Sequence, residues 1–469
     1  MKKITIALLA LLIMNQKVMA AIRVPNIIGS HMVLQKKSDV KIWGWGAPGE
    51  KVTIQTNWDT TTYTTTTQST AKWMLTIKTP AAGGPYTITI KGTNEIILDD
   101  ILIGEVWICS GQSNMEWSGD QGLQESKEEA PNANNKNIRL FYVTKATADF
   151  PQENVEGHWM VCSPEQMIHF STIGYFFGKN LNSALQSPVG LINSNWGGTP
   201  AETWTPAEIV LQNDALLEAA KKQNVTPWWS HRIGDTYNAM IAPLTNFSIA
   251  GVIWYQGESN TSTYYTYEAL FTKMIGAWRA KWNANFPFYF VQIAPYHYDA
   301  NNIGALLRET QTHSSQYPNT GMVVVSDLVP DTNNIHPTLK KEVANRLANL
   351  ALKKTYKTIE SVVEGPQYAS HQIEKDKVVI ELNNTGNGLV CKDKEINNFE
   401  IAAEDQVFYP AVAKIVNNKI IVSHKNVTKP VAVRYAFNNT AIGNVFNKEG
   451  LPLNLFRTDN WKVDTSKIK

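Results

Sequence analysis

Between about residues 99 and 356, short apolar runs alternate with amphipathic stretches at helical spacing, and this rhythm restricts the fold more than any other feature of the chain. A strand that is followed by a helical crossover pairs in parallel with the next strand, so the pattern predicts βαβ units around one parallel sheet. Five strands are expected, at residues 105–109, 189–193, 250–255, 288–293 and 321–325. The clearest helix comes last, where Leu339, Val343, Leu347 and Leu350 recur at helical spacing and Pro337 is expected as the first helical residue. The flanks read differently. In residues 21–98, Trp73, Leu75 and Ile77 share one face of a strand, as do Tyr86, Ile88 and Ile90, and Ala47-Pro48-Gly49 and Gly83-Gly84-Pro85 mark turns. Thr60 to Thr67 reads as an exposed strand around Tyr63, because β-branched residues favour extended backbone. In residues 357–469 the alternation returns at 378–382, 415–422 and 431–437. The expectation is a catalytic-size α/β segment, 99–356, between an N-terminal β-sandwich module, 21–98, and a C-terminal β-rich module, 357–469.

Charge excludes some classes of partner. The 469 residues carry a formal net charge of +2, but residues 1–20 read as a secretory signal peptide, with Lys2 and Lys3 before an apolar stretch and Val18 and Ala20 before the cut. Without that segment, which holds Lys2, Lys3 and Lys17 and no acid, the net charge is −1. A basic nucleic-acid footprint is therefore not expected, and no later apolar run approaches the ~20 residues of a membrane span. The reading is an exported protein, periplasmic or secreted, of undetermined oligomeric state. Three cysteines do not make a disulfide scaffold, and Cys109 with Cys162 are either one bridge or two buried thiols.

In open parallel sheets, ligands bind beyond the carboxyl ends of the strands. The residues there are Ser110 to Met115, Asn195 to Thr199, Gln256 to Asn260, Pro295-Tyr296-His297, and Ser326-Asp327 leading to Asn334-Ile335-His336-Pro337. All are polar or glycine-bearing, which core packing does not require. Acyl transfer by a serine needs a hydroxyl on a tight turn, a histidine base, a group orienting that base and donors for the oxyanion. Ser113, flanked by Gly111 and Asn114, is the candidate nucleophile, or else a cap of the following helix. His336 is the candidate base, held on a loop by Pro337, with His297 second. For the oxyanion, the Ser113 N–H, Gly197 or Gly198, and the amide of Gln256 or Asn114 are candidates. Neither H-E-x-x-H nor paired Cys–His spacing occurs, so no metal and no cofactor are expected.

The same stretches carry a resemblance. Gly104-Glu105-Val106-Trp107-Ile108-Cys109-Ser110-Gly111-Gln112-Ser113-Asn114-Met115-Glu116-Trp117 resembles the signature block of the sialate O-acetylesterase family, a branch of the SGNH hydrolases. Asn195 to Pro200, Gly251 to Asn260, Phe286 to Tyr296, Ile335-His336-Pro337 with Lys340, and Gly450-Leu451-Pro452 match in order along nearly the whole mature chain. The resemblance implies an SGNH-hydrolase, flavodoxin-like α/β fold and a serine carbohydrate O-acetylesterase, with Ser113 as nucleophile and His336 as base. It places Gly197, Gly198, Gln256 and Glu258 in the cleft, with Asn114 and Trp196 beside them. One departure stands out: where members often carry an aspartate two residues before the histidine, this chain has Asn334, and Asn333 precedes it. The residue orienting His336 is therefore open among Asp331, Asp327, Glu258 and a backbone carbonyl, with Asp331 preferred and a bare Ser–His dyad also workable.

The expected substrate is an O-acetylated carbohydrate, sialic acid first. Arg232 and Arg308 are candidates to grip its carboxylate, and Trp196, Trp204, Trp228, Trp229 and Tyr264 to line the sugar site. An acetyl esterase acting on xylan or xyloglucan is the alternative, and a non-catalytic carbohydrate-binding protein is the alternative from another class.

Overall fold

The computed structural model describes residues 21–468, so the expected signal peptide lies outside the described residues. Across the central sheet the strands run Thr320–Val323, Phe288–Val291, Gly251–Tyr255, Glu95–Gly111, Val189–Asn195, Asn135–Tyr142 and Trp159–Cys162. All neighbours pair in parallel except the last two. The five strands expected from the sequence are present, and in chain order they lie 2-1-3-4-5, the flavodoxin-like arrangement. Asn135–Tyr142 and Trp159–Cys162 were not expected. The first opens on the polar Asn135-Lys136-Asn137, and the second is only four residues long, so neither shows the apolar run of a central strand.

Side chains of the central strands alternate between two cores. Val106, Ile108, Val252, Trp254, Phe288 and Phe290 pack in one cluster with Tyr267, Phe271 and Trp278 of the helix Tyr264–Trp282. Trp107, Cys109, Ile253, Tyr255, Tyr289 and Val291 pack in the other, with Phe177 of the helix Thr172–Leu185 and Leu347 of the helix Lys340–Ala351. Period-two alternation with both faces apolar is what helices on both sides of a parallel sheet demand. The last helix begins at Lys340, so Pro337 lies in the loop before it instead of opening it.

The division expected at residue 98 falls inside one continuous strand. Glu95–Gly111 is 17 residues long. Its first half pairs antiparallel with Gly83–Lys91, and its second half is the central strand of the parallel sheet. The threonine-rich segment forms the strand Thr62–Thr66. The C-terminal strands keep their own core, which includes Phe399, Ile401, Val433 and Tyr435 and joins the α/β segment through Ala305 and Leu306 of the helix Ile303–Ser314. Among the described residues, no strand of one terminal module pairs with a strand of the other. Residues 415–422, read as one stretch, are a hairpin: Asn417 and Asn418 both take positive φ, 51° and 60°, as a tight turn between Val412–Val416 and Lys419–Ser423 requires.

Cys109 and Cys162 are free buried thiols, and burial pushes the Cys162 thiol up to about 12. Among the described residues, no helix is long and apolar enough to cross a membrane.

Within the long strand, a Cβ on Gly104 would stand 2.0 Å from the Pro188 carbonyl oxygen. Gly104→Ala is expected to cost about 1–3 kcal/mol of stability, read as a lower thermal midpoint. An unchanged midpoint would contradict this close approach.

Candidate active site

The chain reverses its direction of progress across the sheet between Glu95–Gly111 and Gly251–Tyr255, and such a switch point opens a crevice at the carboxyl ends of the strands. Gly111 ends the first of these strands with φ 131°, and a Cβ there would lie 2.2 Å from the Tyr255 carbonyl oxygen. Only glycine allows this, and the chain then turns sharply into a single helical turn, Ser113–Glu116. Ser113 is thus the first helical residue and not a cap. Its Oγ lies 2.9 Å from His336 Nε2.

His336 is fixed from three sides. Ser113 takes Nε2, the Asn334 Oδ1 accepts the His336 backbone N–H at 2.9 Å, and the Trp117 ring stacks on the imidazole with centroids 4.0 Å apart and planes 23° apart. None of the three carboxylates weighed for orienting the ring reaches it. Asp331 Oδ1 accepts the backbone and side-chain N–H groups of Asn333, at 2.8 and 3.0 Å, because the short loop folds the carboxylate back on itself. Asp327 is held in a bidentate pair by Arg346, at 2.8 and 2.7 Å. Glu258 is buried and accepts from Asn114 Nδ2 at 2.5 Å. The second histidine candidate, His297, is exposed, and its backbone N–H donates to Thr332.

Asn114 does more than line the cleft. Its Nδ2 donates to the Glu258 carboxylate and to the Ile335 carbonyl, 3.0 Å away, while its Oδ1 accepts from Lys340 Nζ. Its amide is therefore fully engaged and is not free for an oxyanion. Gln256 is likewise committed: it is fully buried, with Nε2 donating to Asn260 at 2.8 Å and Oε1 accepting from Tyr267 at 2.9 Å. The turn at Gly197 and Gly198 does flank the serine. A Cβ on Gly197 would be 3.2 Å from Ser113 Cβ, and the Gly197 N–H donates to the Glu116 carboxylate, which Lys145 also pairs. Ser259 Oγ holds the turn through the Gly198 carbonyl at 2.8 Å. Trp196 is half-buried at its start.

Burial governs the ionisation of this site. It pushes the Glu258 carboxyl up, Lys340 down to about 7 and His336 down to about 4, with the positive charge of Lys340 adding to the last effect. Trp117, Lys340, Glu116 and Asn334 were given no role from the residues. Asn334 was legible, since an Asn two residues before a loop residue commonly accepts that residue's backbone N–H. Lys340 was not, because a lysine at a helix start reads as solvated. Among the described residues, no three His, Cys, Asp or Glu side chains gather as a metal site.

A flavodoxin-ordered parallel sheet, with a serine on a glycine-tight turn bonded to a late loop histidine, defines a carboxylic ester hydrolase of the SGNH type. The model of a family described as carbohydrate esterase, sialic acid-specific acetylesterase, matches residues 103–353. Human sialate O-acetylesterase is 32% identical, over 73% of this chain and 73% of the human one. The rat enzyme is 30% identical, over 69% and 72%. The crystal structure of a carbohydrate acetylesterase from Xanthomonas citri superposes with a TM-score of 0.86 at 32% identity, covering 94% of this chain and 100% of that one. The chain belongs to this carbohydrate esterase family.

To serve as a base, His336 would have to be neutral, and its depressed value would keep it so in acid. The acid limb of kcat/KM is expected to fall through about pH 4, not near 6.5. Lys340→Met removes a positive charge beside the ring, so the limb should move to higher pH. A limb that stays in place or moves down would contradict the role of Lys340.

Proposed function

We propose that the protein is an exported serine esterase that releases acetate from O-acetylated sugars, with Ser113 as nucleophile and His336 as general base. The observation that carries this reading is the Ser113 Oγ to His336 Nε2 hydrogen bond of 2.9 Å, at the mouth of the sheet crevice. Ser113 Oγ attacks the acetyl carbonyl carbon while His336 Nε2 takes its proton. The tetrahedral intermediate collapses, the C–O bond to the sugar breaks, and the sugar oxygen leaves with the proton from His336. Water, deprotonated by the same nitrogen, then attacks the acetyl-serine and frees acetate and Ser113.

The developing oxyanion is assigned to the Ser113 N–H, which as a first-turn group has no partner within its helix, and to the Gly198 N–H of the glycine turn, since the Gly197 N–H is already donated to Glu116. The amides of Gln256 and Asn114 are spent elsewhere. With no carboxylate on the imidazole, its transient cation is supported by the Trp117 face, which attracts positive charge. Residues 1–20 support an exported, periplasmic or secreted, location.

The names of the mammalian relatives support O-acetylated sialic acid as the first substrate. One observation favours the second reading, an uncharged acetylated sugar such as those of xylan or xyloglucan. Arg308 is 1% exposed and spends its guanidinium on the backbone carbonyls of Gly304, Asn438 and Asn439. Arg232 pairs with Asp149 at the surface. Arg308 is not free to clamp a sugar carboxylate, and Arg232 would first have to leave Asp149.

Acetate release measured on Ser113→Ala or His336→Ala is expected to fall by at least about 10³. Asp331→Asn should cost less than about tenfold, where a triad aspartate would cost about 10⁴. A Ser113→Ala enzyme that keeps most of its activity, or a 10⁴ loss in Asp331→Asn, would overturn the assignment.

A further inference from the structure

Two loops flank the reaction site, and each carries a large aromatic side chain into solvent. Phe150 is 76% exposed and Trp228 is 78% exposed, with Val225 at 80% close to it in sequence. Single exposed apolar residues are ordinary on a protein surface. These differ because their loops are joined to each other and to the residues around Ser113. Asp149 pairs with Arg232, the Ala148 N–H donates to the Asp235 carbonyl at 3.1 Å, and Asn238 Nδ2 donates to the Ala148 carbonyl at 3.0 Å.

The same loops are anchored on the glycine turn. The Trp229 indole lies so close to Gly198 that a Cβ there would meet its Cδ2 at 2.2 Å. Gly198 itself has φ 81°, so glycine is required at this contact twice over, by conformation and by space. On the other loop, Lys145 pairs with Glu116, the carboxylate that accepts the Gly197 N–H. Each loop thus starts beside the nucleophile and presents an aromatic ring further out. The other aromatic residues considered for the sugar site do not compete for this role. Trp204 is fully buried with its Nε1 on Thr199 Oγ1, and Trp196 and Tyr264 pack against the core.

A pyranose ring has an apolar C–H face that stacks on indole or phenyl rings, and its hydroxyls remain solvated at the edge. An acetyl group at Ser113 puts the sugar that bears it at the glycine turn, so rings further along the loops meet the adjoining sugars. Lys145, Asp149 and Arg232 are already paired, with Glu116 or with each other, and the exposed rings of Phe150 and Trp228 offer stacking beside them. We infer that Phe150 and Trp228 form a subsite for the sugar units next to the acetylated one, so that the preferred substrate is an acetylated oligosaccharide or glycan and not a free monosaccharide. This rests on the esterase reading above.

The test measures acetate release from two matched pairs: O-acetylated xylo-oligosaccharide against O-acetylated xylose, and O-acetylated sialyl-oligosaccharide against free O-acetylated sialic acid. The wild-type enzyme is expected to prefer the longer member of at least one pair by about tenfold in kcat/KM, and the pair identifies the chain it takes. In Phe150→Ala/Trp228→Ala that ratio should collapse toward one, with KM for the longer member carrying the loss, and Trp228→Phe should restore most of it. The thermal midpoint should stay with wild type, since both side chains are exposed. A double variant that keeps the wild-type ratio, or a wild type that prefers neither longer substrate, overturns the subsite while leaving the esterase reading intact. A wild type that releases acetate from none of the four overturns both.

Discussion

The side-chain amide of Asn114 joins the parts of this active site. It follows Ser113, the proposed nucleophile, by one residue, and its three hydrogen bonds reach the Glu258 carboxylate, the Ile335 carbonyl and the Lys340 ammonium. Those partners come from the turn after Gly251–Tyr255, from the loop carrying His336, and from the first residue of the final helix. A buried carboxylate or a buried ammonium alone would be costly, and their combination is tolerated only with good geometry and satisfied hydrogen bonds. Here a neutral amide stands between the two. Because the bonded carbonyl belongs to Ile335, the residue before the histidine, the separation of Ser113 from His336 depends directly on this junction.

The junction also shapes the chemistry. Lys340 adds positive charge near an imidazole that burial already keeps neutral, and no carboxylate is bonded to the ring. As the proposed base, His336 would be weak in the ground state, and it is held by Asn334 through its backbone N–H and by Trp117 on its face. Such a site trades basicity for a base that stays unprotonated in acid. Around it, the long strand Glu95–Gly111 makes the N-terminal strands part of the same sheet that places Ser113. At the other end, Arg457 grips Glu309, and the Asn439 carbonyl accepts the Tyr296 N–H. His297, next in the chain, donates to the Thr332 carbonyl, so the C-terminal module is tied to the stretch that leads to His336.

Much of this was legible in the residues. Strand and helix periods gave the doubly covered sheet, because alternating apolar faces such as Val106, Trp107, Ile108 and Cys109 leave few other solutions. The glycine and serine after the first strand, and the histidine before Pro337, pointed to the cleft because polar strand ends have no packing role. Short or polar strands such as Trp159–Cys162 were missed, since periodicity needs length to show. The choice of Asp331 failed for a different reason. Spacing puts a carboxylate near the histidine but not its direction, and the turn at Asn333 takes it away. Asn114 read as one more cleft residue, because a network that closes through three distant segments leaves no local pattern.

In the proposed mechanism Ser113 carries the acetyl group between sugar and water. This step is tested most directly by rapid acid quench of the enzyme during turnover of an acetyl ester, followed by peptide mass spectrometry. One acetyl group is expected on the peptide containing Ser113, appearing with the first turnover and lost on chasing without substrate. Acetyl on another residue, or turnover with no acetylated enzyme and no burst of released alcohol, would contradict it.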